Sequence, residues 1–444
     1  MNSLTDGWPD SQLVAWDAAL AAEDERYRRA YPGPPGPGPI HTVYVPAPNF
    51  DADTIHAWRR AALQSIKEHP QQWESILTEL VSGQDQGRPG LTDDRAQLGS
   101  RTLAKLLAEP IEDLRIDFED GFRPHRGTAA DELDEDGHAI RAAGAVADLI
   151  GEPRLLPKSW GLRVRSLAPE TRHRGLRTLV LFLDALLAKV GELPPGFAVT
   201  MPKATSRQQV AVFVDVLSTL EARHSMPAGT LKFELQVETP QTVLGADGRV
   251  PVAEMIHASG GRVSGLHFGT YDYTASLGIL GAYQNLRHPV ADFAKSLMQL
   301  AAAETGVRVS DGSDNKVPVG DDATVGERWR AHAEGVQRAL RSGIYQGWDM
   351  HPAQLPTRIA ATFAFFRAGY PEAASRLGNY HRQLSSNAVM DEPATAFALA
   401  RHLAAALECG AITVPELEAA GQIGPTTVRR YLTRGAVPGT QIAD

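Results

Sequence analysis

Eight short β-rich runs, separated by amphipathic stretches long enough to be helices, constrain this chain more than any other feature. The runs are HTVYVPA (41–47), DLRIDFED (113–120), LRVRSL (162–167), FAVTMPK (197–203), KFELQVE (232–238), RVSGLHFG (262–269), GVRVS (306–310) and GIYQGWDM (343–350). The intervening segments have helical periodicity. In DELDEDGHAIRAAGAVADLIG, for example, Leu133, Ile140, Ala143, Ala147 and Ile150 recur at three-, four- and seven-residue spacings. Alternation of this kind implies parallel strands joined by helical crossovers. Eight such strands are the number that closes a (β/α)8 TIM barrel, so the expected class is α/β, with a doubly wound open sheet as the alternative.

Three parts of the chain fall outside that rhythm. Residues 1–40 pair a short helical pattern with the run PGPPGPGPI, where repeated Pro and Gly block helix and sheet alike, giving an N-terminal arm and linker. The gap at 48–112 is too long for one crossover and reads as inserted helices within a barrel domain spanning 41–370. Residues 371–444 read as a C-terminal helical extension that includes EPATAFALARHLAAALECG.

Composition narrows the function. With 43% hydrophobic and 22% charged residues over 444 positions, the chain is an ordinary globular protein rather than a disordered one. A net charge of -9, from 53 acidic against 44 basic residues, disfavours a general nucleic-acid or anionic-membrane surface and makes small-molecule chemistry the default. The single cysteine, Cys409, lies in an Ala- and Leu-rich helical pattern; it excludes disulfide frameworks, Cys-based zinc sites and CxxC redox chemistry, and is expected to be buried. No run of about 18 apolar residues and no signal-like N-terminus is found, so a soluble cytoplasmic protein without a membrane partner is expected.

In a parallel barrel the reactive groups gather at the C-terminal strand ends. Those ends carry Glu119 and Asp120, Arg163 and Arg165, Lys203, Glu238, the stretch Gly269-Thr270-Tyr271-Asp272, and a position near His351. Glu238 and Asp272, on adjacent strands, suit a hard divalent cation that keeps coordination positions for substrate oxygens; alternatively Glu238 faces water and Asp272 caps a helix. Carboxylates at 117, 119 and 120 inside an apolar strand are costly unless hydrogen-bonded or serving a cation. Of Arg163 and Arg165, flanking Val164, one is expected to point into the barrel and grip a carboxylate, the other to form an ion pair behind the strand. Lys203 is a candidate electrophile or nucleophile, or an ion-pair partner. The acidic run after residue 130 reads as a solvated first turn of a helix.

The succession TVYVP, RIDFEDGF, LRVRSL, TMPKATS, ELQVETP, LHFGTYDYTASLG and GWDMHPAQL, in order over about residues 41–355, resembles the citrate lyase beta subunit family of the HpcH/HpaI aldolase superfamily. The resemblance implies a barrel of the phosphoenolpyruvate/pyruvate type and a Mg²⁺-dependent carbon–carbon lyase or aldolase, Mn²⁺ being an equivalent ion, that works through an enolate. It places the metal ligands at Glu238 and Asp272, a substrate-holding Arg at Arg163, and acids that hold the metal's waters at Asp117, Glu119 and Asp120. Arg165 stands where the family has Asn, and Asp120 stands where the pyruvate aldolases have a catalytic His. The sequence therefore looks nearer the citrate lyase and citramalyl-CoA or malyl-CoA lyase side. The family's C-terminal acid/base Asp falls on Asp391, which would act in a neighbouring subunit, so a homo-oligomer is implied. Lys203 and the amides of Gly269, Thr270 and Tyr271 would hold substrate oxygens, and Arg123, Arg126, Arg172 and Arg174 are candidates for the phosphates of an acyl-CoA; a free 2-oxo acid would need no such patch.

A reading from another class rests on TVPELEAAGQIGPTTVRRYLTRGAVPG, which resembles a MerR-like helix-turn-helix with Arg429, Arg430 and Arg434 facing phosphates. It would make the chain a DNA-binding metabolite sensor, against the simpler reading of a packing helix pair.

Overall fold

The structure is a computed structural model, and it describes residues 8–82, 94–122, 129–152, 155–382 and 392–432. Eight strands, β1 (His41–Pro46), β2 (Asp113–Asp117), β3 (Ser159–Arg163), β4 (Phe197–Met201), β5 (Lys232–Val237), β6 (Val263–Phe268), β7 (Arg308–Ser313) and β8 (Gln346–Asp349), pair in parallel and in chain order. The barrel closes where β8 meets β1, with Thr42 opposite Trp348. The expected (β/α)8 barrel is thus the observed one, and the open sheet is excluded.

Two strands are displaced from their sequence runs. β3 begins three residues early and ends at Arg163, and β7 runs on through Asp311-Gly312. Glycine is responsible in each case: it weakens the strand signal, yet a Cβ at Gly161 would collide with the Ala198 carbonyl, and one at Gly312 with the Thr270 hydroxyl. Helix Ala129–Gly151 also packs on a different face from that suggested by its spacing. Ala139, Ala142, Ala143, Val146 and Leu149 are buried, whereas Leu133 and Ile140 are exposed, because small side chains allow close approach to helix Arg172–Val190.

Alternation along the strands sends one set of residues into the barrel. Low in the barrel, Gln346 donates to the Thr42 hydroxyl, which donates to Asp113. Above them, fully buried Arg115 bonds Asp113, Thr200 and Glu234, and His267 lies 3.0 Å from Glu234. Burial would push the Glu234 carboxyl up, but Arg115 and His267 hold it well below the usual range. The uppermost tier opens on the C-terminal mouth. At the opposite end, the Pro/Gly linker crosses the barrel floor and lines cavities with Arg308.

The 48–112 insertion forms helices Thr54–Glu68, Pro70–Ser82 and Asp94–Ala108, which pack on Asp322–Arg341 and Leu355–His381 of the outer layer. Trp73 meets Trp329 edge-on at 5.9 Å. Helix Leu355–His381 continues through the expected boundary at 370/371, Pro371 included, so barrel and extension share one element. The segment likened to a helix-turn-helix forms Val414–Gly421 and Pro425–Arg430, the second a helix of only 6 residues. Leu417, Val428 and Tyr431 are buried in this packing, Glu416 is tied to Arg101 and Arg367, and Arg430 lies over the Tyr431 ring. Arg434 lies outside the described residues. Cys409 is buried, as expected. No helix among the described residues is long and apolar enough to cross a membrane.

Candidate active site

The upper ends of β1, β2, β3, β5, β6, β7 and β8 surround a cavity of about 310 Å³ whose lining includes Asp117, Asp120, Arg163, Glu238, Thr270, Tyr271 and Asp272. Of the strand-end residues singled out from sequence, Asp120, Arg163, Glu238 and Gly269 to Asp272 line this mouth, and Glu119 and Lys203 join it through ion pairs to Arg163, Asp120 and Asp272. Tyr44, Gln236, Ser313, Trp348 and Met350 also line it and were not foreseen. Inside a strand an aromatic or amide side chain has the same alternation whether it packs a core or faces a ligand. Only the inward parity shared with Asp117 and Arg163 could have revealed Tyr44 and Trp348.

Arg163 is the centre of the upper tier. Its Nε and Nη2 each lie 2.6 Å from an oxygen of Asp117, its Nη1 donates to Gln236 at 3.2 Å, and Glu119 is 3.5 Å away. The guanidinium also lies 4.9 Å from the Tyr44 ring centroid and 5.4 Å from that of Trp348, rings that pack at 4.2 Å. Burial opposes its charge, but Asp117 and Glu119 outweigh burial and hold it firmly protonated. Asp117 also accepts the backbone N–H groups of Glu119 and Gly121. It therefore orients Arg163 and shapes the turn carrying Glu119 and Asp120.

In a continuous strand, residues two apart share a face, so Arg163 and Arg165 would both point inward. They diverge because β3 stops at Arg163; Arg165 reaches Glu135 on helix Ala129–Gly151 at 2.8 Å, forming the ion pair behind the barrel.

The second cation, Lys203, has a φ of 51°, a left-handed conformation that strains a side-chain-bearing residue and is retained where a site requires it. This conformation aims its backbone N–H at Glu238 (2.7 Å) and carries its ammonium to Glu119, to Asp120 at 3.0 Å and to Asp272 at 3.6 Å. Burial opposes the Lys203 charge, but Glu119 leads the acids that raise its pKa. Burial, followed by repulsion from Glu119, pushes the Glu238 carboxyl well above its usual range. Burial likewise raises Glu119, whereas at Asp120 it is outweighed by the bonds from Lys203 and the Glu119 pair, and the carboxyl is lowered.

These residues fit a divalent cation by charge. Asp117, Glu119, Asp120, Glu238 and Asp272 supply five carboxylates against the two cations Arg163 and Lys203. Glu238 is 1% exposed beside that excess of negative charge, an arrangement that favours a further positive ion. Among the described residues, no three His, Cys, Asp or Glu side chains converge as a ready ligand cage. Glu238 and Asp272, which line the same cavity, could instead offer two carboxylates, a donor set of the kind Mg²⁺ accepts.

Other expectations are narrowed. The Gly269 amide donates to the Val237 carbonyl at 2.9 Å, so it cannot hold a substrate carboxylate. Helix Thr270–Ser276 has only 7 residues, and within it the Thr270 side-chain hydroxyl donates to the Ser313 carbonyl while the Tyr271 hydroxyl accepts the Asn315 N–H. Burial pushes the Tyr271 phenol up to about 12. His351 caps the short helix Pro352–Gln354. Of the arginines considered for phosphates, Arg174 is buried against Asp136 and Glu135, Arg172 is exposed, and Arg123 and Arg126 lie outside the described residues, as does Asp391.

Known proteins resemble the chain in fold and in part of the sequence. A citrate lyase from Burkholderia xenovorans LB400 shares the fold with a TM-score of 0.52 at 20% identity, over 76% of this chain and 92% of that one. The L-malyl-CoA/beta-methylmalyl-CoA lyase of Haloarcula marismortui is 29% identical over 185 residues, 41% of this chain and 49% of that protein. Malate synthase A of Escherichia coli is 37% identical over 93 residues, 21% of this chain and 16% of that protein. The chain therefore spans less than half the length of these curated relatives. The fold is thus shared with a citrate lyase, and part of the sequence with a malyl-CoA lyase and a malate synthase. A family model described as a domain of unknown function, DUF6986, matches residues 20–434, nearly the whole chain, and the chain belongs to that family.

Proposed function

We propose that the chain is a divalent-metal-dependent carbon–carbon lyase or aldolase acting on a 2-oxo acid or an acyl-CoA carboxylic acid. The observation that carries this reading is the convergence of Glu238, Asp272, Arg163 and Lys203 on one barrel mouth with an excess of carboxylate. A Mg²⁺ ion held by Glu238 and Asp272 would supply Lewis-acid charge for an oxygen that becomes negative when the carbon–carbon bond breaks. Arg163, locked by Asp117 and Gln236, adds a second fixed positive charge beside the same cavity without reorganising during reaction. Lys203 can follow a substrate carboxylate, since its stem is flexible and its side chain is one-third exposed. Asp120, half-exposed at the cavity and bonded to Lys203, is the acid/base that this chain's own mouth offers in this reading. Asp391, supplied from a neighbouring subunit of a homo-oligomer, is the further acid/base in this reading.

The malyl-CoA lyase relative supports testing thioesters alongside free acids. The test is to incubate the purified chain with L-malyl-CoA and, separately, with a 4-hydroxy-2-oxo acid, with Mg²⁺ or with EDTA, and to follow cleavage products by chromatography. Cleavage of one class that requires Mg²⁺ supports the proposal. Absence of cleavage and of the reverse condensation with both classes contradicts it.

A further inference from the structure

The N-terminal helix Asp10–Ala30 extends for 21 residues and buries none of them. Such a helix has little reason to persist alone, since most helical stability in proteins comes from packing an apolar face. It does have such a face. Leu13, Trp16, Leu20 and Tyr27 fall within one narrow stripe at three-, four- and seven-residue spacings, and Trp16, Leu20 and Tyr27 are 41%, 56% and 55% exposed.

A matching uncovered stripe lies on helix Pro289–Ala302. Phe293 and Leu300, seven residues apart, are 56% and 73% exposed, with half-buried Leu297 between them on the same face. This stripe carries no charge. Leu280 and Tyr283, in the segment leading into that helix, are exposed as well.

The arm is rooted beside this second stripe. The Tyr31 ring meets His257 at 5.4 Å, the Gly33 N–H donates to the Glu304 carbonyl at 2.9 Å, and the Gly306 N–H donates back to Gly33 at 2.8 Å. The root is therefore pinned just past the C-terminal end of helix Pro289–Ala302, yet the arm leaves that helix uncovered in its own chain.

We propose that the arm helix docks on the Phe293–Leu297–Leu300 stripe of a second copy of this chain, the two copies exchanging arms. Each chain carries both halves of the contact, so a two-fold related pair satisfies all four stripes and closes. Each contact would set the exposed Trp16, Leu20 and Tyr27 against Phe293 and Leu300, and the two-fold axis doubles the apolar surface covered.

The test uses the full chain and begins with its mass by light scattering. A dimer or larger assembly is expected, and Trp16→Glu/Leu20→Glu and Phe293→Glu/Leu300→Glu should each lower the mass at least two-fold with an unchanged circular dichroism spectrum. A monomeric wild type, or variants that keep the wild-type mass, would overturn the proposal. Cross-linking then identifies the occupant without disturbing the fold. Cys409 is buried and its thiol is pushed up to about 12 by burial, so it stays unreactive towards a short bis-maleimide. Leu20→Cys mixed with Leu300→Cys should give a covalent dimer that neither variant gives alone. Linkage of Leu20→Cys to itself, linkage within one chain of the doubly substituted protein, or no linkage in the mixture would each overturn the exchange.

Discussion

Arg163 and Asp117 form the most consequential contact in the mouth, because each is a buried charge compensated largely by the other. Replacing Arg163 with Met should lower the unfolding free energy by about 3–5 kcal/mol, since it strands the Asp117 carboxylate. Adding Asp117→Asn should recover part of that loss in urea denaturation, whereas additive losses would mean that the pair is not coupled. Glu221 contributes to acid stability. Glu221 is held down to about 2, first by its hydrogen bonds from Arg262 and then, against the opposing effect of burial, by the backbone N–H groups of Leu231 and Gly229. Its folded-state pKa lies below its unfolded value, so its contribution is complete above the ordinary carboxylate range and is lost as pH falls from there toward about 2. Glu221→Gln should therefore cost on the order of 1–3 kcal/mol at pH 7 and progressively less toward pH 3, measured by thermal melts across that window. A cost independent of pH would contradict the ion-pair account.

Among the elements, the insertion behaves as part of the barrel's outer wall. Trp73 of helix Pro70–Ser82 and Trp329 of helix Asp322–Arg341 are both buried where they meet. Trp73→Ala should lower stability by about 3–5 kcal/mol in one cooperative transition. A separate early transition would show instead that the inserted helices fold apart from the barrel. Strand number and order were legible because a parallel barrel repeats one pattern eight times, so errors at single strands do not disturb it. The boundaries of β3 and β7 were not legible, since Gly161 and Gly312 answer to neighbouring chain segments that lie far away in sequence. The same limit applied to the site. Glu238 and Asp272 end their runs visibly, but the interior ladder of Arg115, Glu234 and His267 and the Tyr44–Trp348 pair under Arg163 depend on which strands become neighbours. Nor could spacing show that the Gly269 amide is already engaged by Val237.

At the scale of the whole molecule, a chain with excess acid concentrates five carboxylates and two cations at one end of a closed barrel. That imbalance predicts one strong divalent-cation site, seen by calorimetric titration of Mg²⁺ or Mn²⁺ into the wild type and weakened at least about 100-fold by Glu238→Gln or Asp272→Asn. Unchanged affinity in both variants would place the ion elsewhere. The central claim, that this mouth forms and holds an enolate, is tested most directly by following deuterium exchange into the methyl group of pyruvate, and then of acetyl-CoA, by NMR, with and without Mg²⁺, in the wild type and in Asp272→Asn. The account predicts exchange on one of the two compounds that requires Mg²⁺ and disappears in the variant. Exchange on neither compound by a folded, Mg²⁺-loaded protein, or exchange indifferent to Asp272, would contradict it.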